Sequence, residues 1–192
     1  MNSLRDRLFE ILYSQSFIYR EDPPFTLVSG RKSCYYFDCK ATTLDPEGAA
    51  IVGEVMLDAI EEVVDRSGAT AVGGLTLGAD PIAVSTAIAA FRRGRRISPL
   101  VVRKEPKGHG TQKWIEGRLD GVASVVALDD VITTGGSTVT AIERLRESGL
   151  RVAAAAVIID REEGGRENIE ALGVPVISLF KRSDFDARRL GG

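Results

Sequence analysis

Residues 122–149 read VASVVALDDVITTGGSTVTAIERLRESG. Val125 to Leu128 form an unbroken apolar run, the pattern of a strand covered on both sheet faces, and STVTAIERLRESG reads as the helix that follows. Between them stand Asp129 and Asp130, then Thr133-Thr134-Gly135-Gly136-Ser137-Thr138. Strand, turn and helix in that order make up an open α/β sheet, in which ligands bind beyond the carboxyl ends of strands. Backbone N–H groups, hydroxyls and the positive end of the helix can converge on one phosphate here. The cradle has no lysine and matches neither G-x-x-x-x-G-K nor G-x-G-x-x-G. Two carboxylates would repel an anion unless they face something else, and sugar hydroxyls or a magnesium ion carried by the ligand are the natural partners. A phosphorylated ribose satisfies both halves. The bland alternative, an Asp cap and a glycine turn, explains an isolated Asp-Asp or Thr-Gly-Gly but not the whole ordered unit.

Outward from this unit the same rhythm repeats. ATAVGGL, ISPLVV, RVAAAAVIID and PVISLF are further strand candidates, and PIAVSTAIAAFRRG is a helix announced by Asp80-Pro81 as cap and first residue. The expected fold is a doubly wound, mostly parallel five-stranded α/β sheet flanked by helices. Ahead of it, residues 3–14 carry Leu4, Leu8, Ile11 and Leu12 at helical spacing. FTLVSGRKSCYYFDCK then reads as two short strands about Ser29-Gly30-Arg31-Lys32, and Asp45-Pro46 opens a helix that runs to Ser67-Gly68. The expectation is one domain over 1–192: a small amino-terminal α+β hood to about residue 45, and a core from about 46 to 192.

The 192 residues are 44% hydrophobic, enough for one core. A formal charge of -2 does not favour nucleic acid or an anionic membrane, so anion binding must be local. No apolar run approaches the roughly 20 residues that cross a bilayer, and MNSLRDRLFEILYSQ has no secretory pattern. A cytoplasmic location is expected. Cys34 and Cys39 sit at an odd offset that would point them to opposite faces of a strand, neither a metal pair nor a disulfide, which fits a reducing compartment.

Residues 102–121, VRKEPKGHGTQKWIEGRLDG, lack either period, and loops that long are uncommon unless functional or disordered. Arg103, Lys104, Lys107 and His109, the only histidine, could close over a leaving diphosphate and exclude water. A solvated basic loop is the plainer reading.

VVALDDVITTGGST resembles the signature of phosphoribosyltransferases that use 5-phosphoribosyl 1-diphosphate. FTLVSGRKSCYYFD, GGLTLGADPIA and RKEPKGHGTQKWIEG are similar to segments of the orotate phosphoribosyltransferase family, over about residues 17 to 165. The resemblance implies transfer of the phosphoribosyl group to orotate, giving orotidine 5'-phosphate and diphosphate on the route to UMP. It implies Mg2+ held mainly by the diphosphate and ribose hydroxyls, with no direct metal ligand, and a homodimer whose flexible loop, about 103–117, reaches the neighbouring active site. The donor would meet Arg103, Lys104, Lys107, His109, Asp129, Asp130, Val131, Ile132, Thr133, Thr134, Gly135, Gly136 and Ser137. Of these, Lys104, Lys107, His109, Asp129 and Asp130 would be catalytic, the two acids orienting hydroxyls and favouring positive charge on the ring. Tyr36, Phe37, Thr133 and Arg161 would meet orotate, the arginine through its planar fork. Without the resemblance, Tyr36 and Phe37 read as core and Arg161 as a surface residue.

Many family members carry lysine where this chain has Val28, and an aromatic-lysine pair where it has Leu77-Gly78. Those diphosphate contacts do not transfer, and Lys32 or Arg31 are the substitutes in reach. Two alternatives stay open at the level of sequence: a phosphoribosyltransferase for another nucleobase, and a non-catalytic sensor of the ribosyl donor.

Overall fold

The structure is a computed structural model that describes residues 3–26, 32–106 and 114–191. Helix α1 (Leu4–Gln15) starts at a capping box in which Ser3 and Asp6 satisfy each other's backbone N–H, and it buries Leu8, Ile11 and Leu12. Four short strands follow: β1 (Phe17–Tyr19), β2 (Phe25–Thr26), β3 (Lys32–Ser33) and β4 (Tyr35–Phe37). Then come a single turn, α2 (Lys40–Thr43), and the long α3 (Pro46–Ser67). The Asp45 carboxylate caps α3 by accepting from Glu47 and Gly48 N–H, and Gly68 ends it in the left-handed region at φ 64°. The core proceeds as β5 (Ala71–Leu75), α4 (Ala79–Arg92), β6 (Ser98–Val102), β7 (Ile115–Glu116), β8 (Ser124–Ile132), α5 (Gly136–Glu147), β9 (Arg151–Asp160), α6 (Gly165–Glu170), β10 (Val176–Lys181) and α7 (Arg182–Leu190).

The central sheet has the order β10-β9-β8-β5-β6-β7. Five strands are parallel, as expected from the apolar runs, and β7 adds a sixth, antiparallel to β6. The segment 102–121 is therefore not structureless: Ile115 and Glu116 pair with Val102 and Val101. Alternate residues of β8 serve two cores, Val126 and Leu128 joining α1, α3 and α4, while Val125 and Ala127 join α5. Coverage on both faces is why its pattern is continuous rather than alternating. Successive connections reverse direction between the neighbours β5 and β8, and their ladder ends at Gly73 and Ala127. A reversal of this kind leaves a crevice at the carboxyl ends of the strands.

Two local expectations change. β2 and β3 do pair about the segment 27–31, which lies outside the described residues, but the aromatic strand β4 pairs with β1 instead. That pairing places Phe37 against Phe17 and Phe185, with ring centroids 5.2 and 5.0 Å apart, so aromatic burial under α7 decides the partner. Asp80 does not cap α4. The helix begins at Ala79, and the Asp80 carboxylate instead accepts from the Thr76 hydroxyl at 2.6 Å, closing the β5–α4 turn. Cys34 and Cys39 flank β4 instead of sharing a strand, and both are free thiols. No helix among the described residues is long and apolar enough to cross a membrane.

Candidate active site

Strand β8 does not stop before the two acids but carries them to Ile132. Strand alternation then sends them different ways. Asp129 turns inward and is 5% exposed, while Asp130 is half buried. One Asp129 oxygen accepts from the Thr138 hydroxyl at 2.7 Å and the other from the Asp130 N–H at 3.0 Å. Burial, and after it the charge of Asp130, pushes the Asp129 carboxyl up to about 7, against the opposing pull of the Thr138 hydroxyl. The Thr138 hydroxyl is therefore committed to Asp129. Asp130 accepts from the Val131 N–H at 2.9 Å. Across from it the β5–α4 turn comes so close that a Cβ on Gly78 would lie 2.6 Å from the Asp130 Oδ1.

The turn from Thr133 to Gly136 is braced from behind. Gly135 has φ 80°, and a Cβ there would lie 2.8 Å from the Gly165 carbonyl; one on Gly165 would lie 2.6 Å from the Thr133 carbonyl. Asn168 donates to the Thr134 carbonyl at 2.9 Å, and the Arg161 N–H to the Ile132 carbonyl at 3.0 Å. Sequence reasoning missed both Gly165 and Asn168. Adjacent glycines at 164 and 165 were the available signal.

These elements enclose a cleft of about 650 Å³. Asp129, Asp130 and Val131 line it, as do Thr133, Thr134, Gly135, Gly136 and Ser137, with Tyr36, Phe37, Arg161 and Thr26 completing the wall. Sequence-predicted residues from three separated segments thus meet in one place. Tyr36 is 40% exposed and stacks on Phe25, whereas the Phe37 ring belongs to the core. Arg161 is buried: its Nη2 donates to the Ser33 hydroxyl at 3.0 Å and pairs with Glu163 at 2.7 Å. The Arg161 Nε is buried with no hydrogen-bond partner among the described residues.

Other expected residues lie elsewhere. The Ile132 side chain joins the core beneath α5 and does not line the cleft. Arg103 donates to the Glu105 carbonyl at 3.1 Å and pairs with Glu116 at 3.3 Å, and Lys104 is exposed; neither lines the cleft. Lys107 and His109 lie outside the described residues, as does Val28. The Arg144 guanidinium of α5 lies 3.5 Å from the Trp114 ring centroid, which fastens the strand following the loop to the helix following the cradle. Among the described residues no three His, Cys, Asp or Glu side chains gather as a metal centre.

No protein-family model matches the chain. Curated proteins do. The chain is 46% identical over 187 residues to the orotate phosphoribosyltransferase of Leptospira biflexa, covering 96% of this chain and 98% of that one. Among solved structures, orotate phosphoribosyltransferase of Mycobacterium tuberculosis in complex with Fe(III) dicitrate superposes with a TM-score of 0.79 at 36% identity, over 95% of this chain and 99% of that one. The same enzyme in complex with 5-phospho-alpha-D-ribosyl 1-diphosphate gives a TM-score of 0.75 at 33% identity, over 96% and 99%. By fold, cleft and near full-length likeness, the chain belongs to the orotate phosphoribosyltransferase family.

Proposed function

We propose that the chain transfers the 5-phosphoribosyl group of 5-phosphoribosyl 1-diphosphate to orotate, yielding orotidine 5'-phosphate and diphosphate. The observation that carries this reading is the union, in one cleft, of two acids and a braced hydroxyl-glycine cradle with Tyr36 and Arg161. The 5-phosphate sits on the Thr133–Ser137 turn, where backbone N–H groups and the start of α5 supply positive potential. Asp129 and Asp130 orient the ribose hydroxyls and stabilise positive charge as the C1–oxygen bond breaks and its electron pair leaves with diphosphate. A ring nitrogen of orotate supplies the pair for the new bond at C1. Tyr36 and Arg161 hold the pyrimidine, the arginine meeting its carboxylate or ring oxygens; Thr133 and the Phe37 backbone border the same space.

Arg103, Lys104, Lys107 and His109 serve the leaving diphosphate. Because Arg103 and Lys104 stand away from the cleft of their own chain, a homodimer in which they reach the neighbouring cleft accounts for their placement. Support comes from α4, where Val84, Ile88 and Phe91 are 47, 49 and 70% exposed at helical spacing, an apolar stripe that asks for cover. Mg2+ would be held mainly by the donor's own oxygens and would neutralise charge on the leaving diphosphate, with Asp130 lining the same cleft. Free thiols at Cys34 and Cys39 suit the cytoplasm.

A panel of bases offered to the purified chain with the ribosyl donor tests the assignment. Orotate should be consumed and adenine, guanine and uracil left; turnover of any of these above orotate overturns the acceptor, and donor binding without turnover of any base favours a sensor.

A further inference from the structure

Arg161 lines the cleft from a turn whose backbone is held on two sides. Its N–H donates to the Ile132 carbonyl at the end of β8, and its carbonyl accepts from the Arg182 Nε at 3.3 Å, at the start of α7. Its neighbours are tied down as well. The Asp160 carboxylate accepts from the Glu162 N–H at 2.9 Å and the Arg166 Nε at 3.0 Å, and the Glu162 carboxylate accepts from the Ser183 N–H at 3.0 Å. A fixed main chain does not by itself fix a guanidinium, because the arginine side chain is long and rich in rotamers.

Two contacts restrain it, both at Nη2. The Ser33 hydroxyl gives its proton to the Tyr35 carbonyl at 3.1 Å, so what it offers Arg161 is an acceptor lone pair, at 3.0 Å. Ser33 lies on β3 opposite Phe25 of β2, whose next residue, Thr26, belongs to the cleft wall. The Glu163 carboxylate, two residues along the turn, pairs with the same nitrogen at 2.7 Å. The Arg161 and Glu163 side chains are only 5 and 16% exposed, so water and salt screen this pair far less than a surface pair. A planar cation gripped at one nitrogen from two separate segments cannot turn freely, and the edge it presents to the cleft is set by those two groups. Neither Ser33 nor Glu163 lines the cleft, so they act on a ligand through Arg161.

We propose that Glu163 is a positioning residue for the acceptor base: with Ser33 it holds the Arg161 guanidinium in the orientation that meets orotate. The inference rests on Arg161 meeting the base. Glu163→Ala should raise the orotate KM about tenfold, the loss of one charge-assisted contact, while calorimetric titration of the ribosyl donor reads the wild-type affinity. Glu163→Gln keeps the shape and one acceptor oxygen; it should raise the orotate KM less, and it carries the test if the alanine variant fails to fold. In an Arg161→Met background either Glu163 variant should add little to the orotate KM, because the group it positions is gone. A role in stability alone would lower the melting temperature and leave the orotate KM where it was. An orotate KM that stays level or falls in the Glu163 variants while Arg161→Met raises it, or losses that add in the double variant, would overturn the proposal. Arg161→Met without effect on the orotate KM would instead remove Arg161 from the base site, and the proposal with it.

Discussion

Thr138→Val isolates the group that keeps Asp129 usable. Valine preserves the shape of the fully buried threonine and removes only the hydroxyl that donates to the carboxylate at 2.7 Å. That hydroxyl stabilises the charged form of an acid that burial and Asp130 have already pushed up to about 7. A hydrogen bond to a charged group is worth about 1.5–3 kcal/mol, and at about 1.4 kcal/mol per unit its loss should raise the carboxyl by roughly one to two pH units. If ionised Asp129 serves the ribosyl ring, wild-type kcat/KM for the donor should fall about tenfold per pH unit below neutrality. In Thr138→Val the same fall should begin at a clearly more alkaline pH. Near neutrality the variant should therefore be at least several-fold slower, and the gap should narrow in alkali. The assay is initial-rate kinetics with varied donor across mildly acidic to alkaline buffers. A flat wild-type profile through neutrality, or superimposable profiles, would refute the reasoning.

Stability should move the other way. A carboxyl raised in the fold above its unfolded value of 3.8 contributes stability that is fully present below that value and is lost as pH rises through about 7. Asp129→Asn should accordingly melt higher than wild type in neutral and alkaline buffer, with little difference in acid, while turnover collapses; equal melting temperatures at all pH values would contradict the burial argument. Gly78→Ala should displace the Asp130 carboxylate, which a Cβ would approach to 2.6 Å, and lower kcat about tenfold with the fold intact. Unchanged kcat there would free Asp130 from its proposed role. Arg161→Lys should raise the orotate KM at least about tenfold, since a point charge cannot replace a planar fork, and should spare the donor KM; an effect on both alike would place Arg161 outside the base site. Lys104→Ala should lower turnover more than orotate affinity, and equal turnover would remove it from the chemistry.

The parallel core was legible because its strands are buried on both faces, so that Val125 to Leu128 and Arg151 to Asp160 announce themselves without knowledge of their neighbours. The pairing of β4 with β1 was not, since the nearby turn at 29–32 suggests a local hairpin while the deciding contact, Phe37 with Phe185, spans most of the chain. A cap signal at Asp80-Pro81 misplaced a helix start by two residues because Thr76 claims the carboxylate first. In the site, the two acids and the cradle were legible as chemistry, whereas Arg161, a surface residue by its own pattern, entered only through the family resemblance. What needed three dimensions was their support: Thr138 turning to Asp129, Gly165 and Asn168 bracing the cradle, and Gly78 making room for Asp130. Bracing contacts of this kind join segments far apart in the chain and leave no periodic trace.

The most direct measurement is of orotate and diphosphate together, in a mixture of the purified chain, 5-phosphoribosyl 1-diphosphate and orotate, with Mg2+ and with a chelator in its place. The account predicts that orotate disappears only when donor and metal are both present, with one diphosphate released for each orotidine 5'-phosphate formed. Orotate left untouched by the folded chain with donor and Mg2+ present, or diphosphate released without a nucleotide product, would contradict it.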